Sequence, residues 1–254
     1  MSGGGGAGAG TFDAGADAPV DAPDDVGPQP VEDIFVHTGQ TLFKLDLESF
    51  AIAKVADFSG CSGSVIDIAA SSDGTLFAAS SGGLFRVQPS DGTCTSVASG
   101  SYPNSLCMVP KGVLDADSEV LVGFVGSVYV QIDRDNGAFT ILGNLGSAEL
   151  TSSGDMIALP AGGAAYLTVT GPGCADCLVE IDPKTGAIVN MVGPLGYEFV
   201  YGLASSQGRA FGFTSAGEAF RVDVTSGETT PIVIPNPPPG ISFFGAASRP
   251  ADLL

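Results

Sequence analysis

Short runs of alternating apolar and polar residues recur along this chain. The clearest copies are Leu42–Leu45, Leu84–Val87, Val128–Ile132, Leu178–Ile181 and Ala219–Val222. In each copy the first and last residues can face one way while polar side chains face the other, which is the period-2 pattern of a β-strand. The pattern therefore predicts many short strands, and long helices are not indicated.

A polar, turn-forming hinge follows each of these strands. The residues that precede the hinges, Leu45, Val87, Ile132, Ile181 and Val222, are 42, 45, 49 and 41 positions apart. This spacing is typical of the four-stranded blade of a β-propeller. Because another apolar run follows each hinge, we expect a hairpin there, with glycine in the left-handed conformation in hinges such as 182–186.

Two further strands precede the hairpin in four of the five repeats. The predicted inner strands are 64–70, 105–110, 153–159 and 200–205. The first repeat starts at Ile34–His37, already a second strand, whereas the last repeat is followed by an extra strand, Ile241–Ala247. If the extra strand completes the first blade, with Phe243 and Phe244 beside Ile34–His37, the ring has no open edge. The sequence thus predicts an all-β, five-bladed propeller over residues 31–250.

Two of the turns carry a family resemblance. Ser72-Asp73-Gly74 and Asp182-Pro183-Lys184-Thr185-Gly186 resemble turns of the NHL and YVTN-like β-propeller superfamily, and the resemblance covers residues 31–250. Such turns are generic to propeller blades. The resemblance therefore implies a fold and not an activity.

Residues 1–30 consist almost entirely of Gly, Ala, Asp and Pro. Such a segment cannot bury enough surface to offset its ordering entropy, so we expect a disordered tether. Its Ser-Gly-rich start and Asp/Ala/Pro linker resemble the stretch after the lipidated cysteine of uncharacterised secreted bacterial lipoproteins. The resemblance implies a periplasmic or cell-surface protein, lipid-anchored if Met1 replaces that cysteine or an upstream signal was trimmed. A natural cytosolic start is the alternative.

The charge balance excludes one class of partner. Nine basic residues stand against 28 acidic ones, which gives a net charge of −19. Such a chain repels phosphate backbones and anionic headgroups, so nucleic acid is not an expected partner. No run of 18 apolar residues occurs, and membrane contact is expected only through a lost N-terminal lipid anchor. We expect a monomer.

The five cysteines allow several arrangements. Cys174 and Cys177 are predicted to lie in a loop before the third strand of the fourth blade. They could form a local disulfide, remain two free thiols or bind a metal ion. A zinc site would need two further ligands nearby. Cys61 and Cys94 flank one blade and are the preferred second disulfide. Cys107 then remains as a buried free thiol.

No catalytic motif occurs. His37 is the only histidine, so any catalytic triad must use it, and the sequence contains no nucleophile elbow, HExxH motif or P-loop. We expect His37 to pack within a blade or lie on the surface. The segment 115–119 begins like a calcium loop, but Val120 stands where that loop requires glycine, so an EF-hand is not expected. A weak, exposed Ca²⁺ site in this segment is the alternative, and otherwise no metal or cofactor is expected.

Two acidic residues on the predicted inner strands carry the enzymatic alternative. Asp67 and Asp155 can reach the central channel, where a pair of carboxylates could serve a glycosidase or lactonase-like hydrolase. The corresponding positions of other blades, Ser105, Gly202 and Gly245, are small residues that favour close approach of the strands. The chain also has no tryptophan for sugar stacking.

The loops that join one blade to the next should lie on one face of the ring, together with the loops between the second and third strands. We call this the loop face. It contains the candidate ligand-binding residues Tyr102, Asn104, Tyr197, Glu198 and Tyr201, and also Phe58 and Phe199. Tyrosine offers apolar area with a polar tip, as binding surfaces require, although these rings could instead wedge between blades. We therefore expect a non-enzymatic, exported module that binds a protein or carbohydrate through the loop face and channel mouth, with Asp67 and Asp155 contributing.

Overall fold

The computed structural model describes Met1 and residues 33–159 and 163–249. In these ranges the chain forms twenty strands, arranged in five four-stranded antiparallel sheets. The expected tether lies outside the described residues except for Met1. Within the described ranges no helix is long and apolar enough to cross a membrane.

Each sheet is one blade, and the strands of a blade follow one another from the channel outward. Blade 1 contains β20 (Gly245–Ser248), β1 (Ile34–His37), β2 (Thr41–Leu45) and β3 (Ile52–Asp57). Blade 2 contains β4 (Val65–Ala70), β5 (Leu76–Ser80), β6 (Gly83–Val87) and β7 (Cys94–Ser99). Blade 3 contains β8 (Cys107–Val109), β9 (Val120–Val125), β10 (Val128–Ile132) and β11 (Phe139–Asn144). Blade 4 contains β12 (Thr151–Ala158), β13 (Ala165–Gly171), β14 (Cys174–Ile181) and β15 (Ile188–Pro194). Blade 5 contains β16 (Val200–Ser206), β17 (Arg209–Thr214), β18 (Ala219–Val222) and β19 (Thr229–Ile232).

The C-terminal strand closes the ring, which confirms the predicted fold. β20 pairs with β1 from Ile34↔Ser248 to His37↔Gly245. The strand starts later than expected. The Phe244 N–H still donates to the His37 carbonyl at 2.9 Å, but the Phe243 N–H donates to the Thr214 carbonyl of blade 5. Phe243 turns that way because its ring packs edge-on against Phe213, 5.5 Å between centroids, in the core between blades 5 and 1.

The segment around Cys174 and Cys177 is a strand, so the prediction of a loop there is wrong. β14 begins at Cys174, and the first two pairs of its ladder with β13 are Gly171↔Cys174 and Val169↔Cys177. Three residue steps on β14 thus match two on β13, which is a β-bulge. The bulge brings the two cysteine Cα atoms to 5.7 Å, close enough for a disulfide inside a strand.

The polar hinges have a second role as contacts between blades. The Tyr102 hydroxyl donates to the Gly137 carbonyl at 2.9 Å, and the Tyr129 hydroxyl donates to the Pro183 carbonyl at 3.0 Å. In the same way, the Ser59 N–H donates to the Gly92 carbonyl at 2.9 Å. In each case the hinge of one blade accepts a hydrogen bond from the preceding blade, or from the loop that joins the preceding blade to its own. Together with apolar clusters between neighbouring blades, these bonds hold the ring together.

Candidate functional site

Two carboxylates close the central channel. We define five ring positions, one per blade, as Asp67, Ser105, Asp155, Gly202 and Gly245. In every blade the residue after the ring position donates its backbone N–H to the side chain of Asp67 or Asp155. These donors are Ile68, Leu106, Met156, Leu203 and Ala246. The inner strand of a blade has a free edge whose N–H groups lack a β partner. The two aspartates supply the acceptors that these five groups need once they are buried.

The two carboxylates divide the five N–H groups unequally. Asp67 accepts from Ile68 at 2.8 Å and from Leu106 at 2.5 Å, which joins blades 2 and 3. Asp155 accepts from Met156 and Leu203 at 2.7 Å each, and from Ala246 at 3.4 Å. Asp155 therefore joins blade 4 to blade 5 and to the closing strand of blade 1.

The glycines among the ring positions are needed for this approach, as the sequence suggested. A Cβ placed on Gly245 would clash with Asp67 Oδ1 and would lie 2.5 Å from His37 Nε2. A Cβ on Gly202 would lie 3.0 Å from the Ala246 nitrogen. The inner strands could not come this close if these positions carried side chains.

Burial controls the protonation of the Asp67 and Asp155 carboxyls. It raises the pKa of Asp67 well above its usual range, and the nearby Asp155 charge raises it further. Burial also raises the pKa of Asp155, against the hydrogen bonds from Leu203, Met156 and Ala246. The two carboxyls therefore resist being charged at the same time.

His37 borders the same ring and lies wholly in the interior. Its Nδ1–H donates to the Thr38 carbonyl at 2.8 Å, whereas Nε2 is buried and has no hydrogen-bond partner within the described part of the chain. Burial lowers the His37 pKa to about 4, against the bond to Thr38. The neutral imidazole thus faces Asp67 across Gly245.

Acid should weaken the protein through His37. Unfolded His37 binds a proton below about pH 6.5 and folded His37 only below about pH 4, so the unfolded chain holds more protons between these values. We expect His37 to contribute about 3 kcal/mol of stability that is complete above pH 6.5 and lost as the pH falls to 4. Asp67 and Asp155 act with the opposite sign, because their raised pKa values make stability fall as the pH rises above their unfolded values. Denaturant unfolding of the wild type and of His37→Asn at pH 6.5 and pH 4 separates the His37 contribution from that of the two aspartates. A difference in unfolding free energy between the two proteins that does not change with pH would contradict the expectation.

The burial of Asp67 and Asp155 removes support from the hydrolase alternative. Both are inaccessible to solvent, and their oxygens already accept backbone N–H groups. On the other side of the ring lies a cavity of about 20 Å³, lined among others by Ala69, Met156 and Leu203, which has room for about one water. A sugar could reach the carboxylates only if the ring opened. Among the described residues no group of three or more His, Cys, Asp or Glu could hold a metal ion.

The loop face offers accessible groups at the channel mouth. We define the mouth as the residues just before the ring positions, namely Ile66, Asn104, Gly154, Tyr201 and Phe244. Asn104 and Tyr201 are half-buried there, and Phe244 is 37% exposed. Phe199 stands beside Tyr201 with 6.2 Å between ring centroids, and it is 56% exposed. The mouth thus combines aromatic rings with one amide.

An aspartate that the sequence did not single out supports this aromatic pair. Asp176 is buried, accepts the Ser153 hydroxyl at 2.6 Å, and accepts the backbone N–H groups of Phe199 and Val200. Burial raises its pKa, and the charge of Glu198 adds to the effect. No sequence signal could have found this role, because it depends on the bulge that turns Asp176 towards blade 5.

Two of the candidate tyrosines wedge between elements of the ring, so the sequence-predicted set is divided. The Tyr102 ring meets Phe139 edge-on at 5.2 Å, in addition to its hydroxyl bond to Gly137. The Tyr197 ring stacks on Phe220 at 4.1 Å with an interplanar angle of 4°. Glu198 is exposed beside them in the loop between blades 4 and 5. Asn104, Glu198 and Tyr201 are therefore the candidates that keep accessible groups without such a wedge contact.

The cysteines form two disulfides. Cys61 pairs with Cys94 and Cys174 pairs with Cys177, while Cys107 is free and buried. Burial, and secondarily the charge of Asp155, raises the pKa of the Cys107 thiol, so it is an inert group. Disulfides are typical of oxidising, extracytoplasmic compartments.

Comparison with known proteins defines a class and nothing narrower. No family model and no curated protein matches the chain. Among solved structures, a chain of the nidogen/laminin complex covers 85% of this chain and 97% of its own length, at 10% identity and a TM-score of 0.54. A chain from a study of the de novo evolutionary emergence of a symmetrical protein covers 84% and 93%, at 15% identity and a TM-score of 0.51. Kuenenia stuttgartiensis hydrazine synthase covers 87% and 69%, at 12% identity and a TM-score of 0.46. The first two similarities support the β-propeller fold alone.

Proposed function

We propose that this protein is an exported, non-enzymatic β-propeller that binds its ligand at the channel mouth on the loop face. Tyr201, Asn104 and Glu198 are the proposed contacts from the sequence, and Phe199 and Phe244 join them. Asp67 and Asp155 support the site from below by closing the channel.

The observation that carries the proposal is the conformation of Phe199. Its backbone has a φ of 56°, a left-handed value that bulky residues rarely adopt, and its ring is nevertheless 56% exposed. Both features cost free energy, and the buried carboxylate of Asp176 holds the segment in place. Strain combined with an exposed aromatic ring is typical of binding sites.

A carbohydrate is the ligand class that suits the mouth best. Aromatic rings can stack on the apolar face of a sugar, while the Asn104 amide and the Glu198 carboxylate can bond to hydroxyls. A protein ligand remains the alternative, and an exposed aromatic cluster would serve it as an anchor.

Replacing Phe199 or Tyr201 with alanine is expected to reduce glycan binding. We expect a loss of about tenfold or more for either variant, because a stacking ring supplies a large share of the binding free energy at such sites. A glycan array finds the ligand, and calorimetry with the best glycan measures the dissociation constant.

Phe139→Ala is the matched control, since Phe139 is 43% exposed but lies on the outer strand β11. It should leave glycan affinity unchanged. An equal loss in the control, or no glycan binding at all combined with capture of a protein through Tyr201, would reject the carbohydrate proposal.

The export of the protein is the second part of the proposal. The two disulfides support an oxidising compartment, and we propose the periplasm or the cell surface as its place. The same proposal includes a relationship to NHL and YVTN-like propellers. It also includes a tether over residues 1–30 that carries a lipid anchor, and a propeller over residues 31–250. Labelling of intact cells with a membrane-impermeant reagent tests it.

A further inference from the structure

The outer strands of the five blades differ at one equivalent position. In each blade we compare the residue that pairs with the strand position three before the hinge. In blades 1 to 5 this residue is Lys54, Ser96, Ile141, Met191 and Pro231. Lysine and proline on an edge strand are typical protections against pairing with another chain, and serine is polar. Blades 3 and 4 instead carry an apolar side chain there.

Blades 3 and 4 each combine this unprotected edge with a second exposed apolar residue, which in blade 4 is Val189 beside Met191, and the surroundings of the blade 3 edge carry the argument. Ile141 is 72% exposed and Phe139, on the same side of β11, is 43% exposed. β11 carries no charged residue, in a chain of net charge −19. The far end of the strand is covered, because the Leu145 carbonyl accepts from Ile188 of blade 4. The segment Phe139–Leu142 remains as an open, uncharged edge.

The other side of the same edge is acidic. Thr140 and its cross-strand partner Gln131 line a recess of about 320 Å³ whose rim includes Asp115, Asp133 and Asp135. Turn N–H groups hold the pKa values of Asp115 and Asp133 below their usual range, so both stay charged. Arg134 is the one cation among the lining residues, and Arg86 of blade 2 forms an ion pair with Asp135, so Asp115 and Asp133 supply the unpaired charge of the rim.

We propose that the outer edge of blade 3, over Phe139–Leu142, binds an extended segment of a partner protein that alternates apolar and basic side chains. Side chains of a paired strand alternate between the two sides of the sheet. One set would cover Phe139 and Ile141, and the other set would enter the acidic recess beside Thr140. A second copy of this chain is a poorer occupant, because each copy carries −19 and the recess requires cations.

Hydrogen exchange on the full-length protein tests the proposal with a short synthetic peptide of alternating valine and lysine. At a peptide concentration ten times the dissociation constant, the amides of Phe139–Leu142 should exchange about tenfold more slowly. A peptide of alternating valine and glutamate should give no protection.

Two variants and a matched control locate the effect. Ile141→Lys gives blade 3 the edge lysine that blade 1 has at Lys54, and it should abolish the slowing of amide exchange by the peptide. Thr140→Arg should weaken that slowing by placing a cation in the recess. Ser96→Lys makes the equivalent change in blade 2 and should leave it intact, as should Tyr201→Ala at the mouth. Protection that persists in Ile141→Lys, or that lies outside residues 139–142, would overturn the proposal. So would a dimer in sedimentation velocity that Ile141→Lys dissociates, because the edge would then belong to a second copy.

Discussion

Asp155→Ala is expected to destabilise the protein by about 4 kcal/mol. The change removes the acceptor of three buried N–H groups, those of Met156, Leu203 and Ala246. Each unsatisfied group costs about 1–3 kcal/mol, and relief from burying a second carboxyl beside Asp67 offsets part of the sum. Denaturant unfolding at neutral pH measures the loss, with the wild-type slope as a check that the unfolded state is unchanged.

Asp67→Ala and Asp117→Ala provide the graded controls. Asp67 accepts only two N–H groups, so its loss should cost about 3 kcal/mol, less than that of Asp155. Asp117 is exposed in the loop between β8 and β9, and its replacement should change stability by less than about 0.5 kcal/mol. An order in which Asp67 matters more than Asp155, or neither differs from Asp117, would mean that the carboxylates do not hold the ring closed.

Removing the Cys61–Cys94 disulfide is expected to cost about 3.5 kcal/mol. The bond spans 33 residues and ties the loop between blades 1 and 2 to the first residue of β7. A loop of that length removes substantial entropy from the unfolded chain. The double variant Cys61→Ala/Cys94→Ala measures the loss by denaturant unfolding.

The second disulfide is the matched comparison. Cys174 and Cys177 are three positions apart, so Cys174→Ala/Cys177→Ala should cost less than about 2 kcal/mol. Cys107 is buried in every variant and should not exchange into either pair. Equal losses from the two double variants would show that local packing, and not the closure of the long loop, decides the contribution.

The accuracy of the strand predictions depends on how local their causes are. β10 and β18 have the bounds expected from the alternation of apolar and polar residues. The predicted start of β20 is four residues too early because Phe243 continues the apolar pattern while its N–H bonds to blade 5. The sequence does not predict the strand at Cys174 because glycine and proline next to it indicate a loop, whereas pairing with β13 extends the strand.

The sequence predicts the candidate site in part. Tyr201, Asn104, Glu198 and Phe199 follow from their place on the loop face, but Phe244 and the supporting role of Asp176 do not. The roles of Tyr102 and Tyr197 cannot be separated from that of Tyr201 by sequence, since a tyrosine that binds and one that wedges have the same chemistry. Only the contacts to Phe139 and Phe220 distinguish the two groups.

The sequence alone determined the blades, their number and the strand that closes the ring, because alternation and turn chemistry act over a few neighbouring residues. Tertiary structure alone decided what Asp67 and Asp155 do. Asp67 meets an N–H 39 residues away, and Asp155 meets others 48 and 91 residues away. Hydrogen bonds of such separation leave no local pattern, so two acids that the sequence places at the channel are instead the buried acceptors that together link the five inner strands.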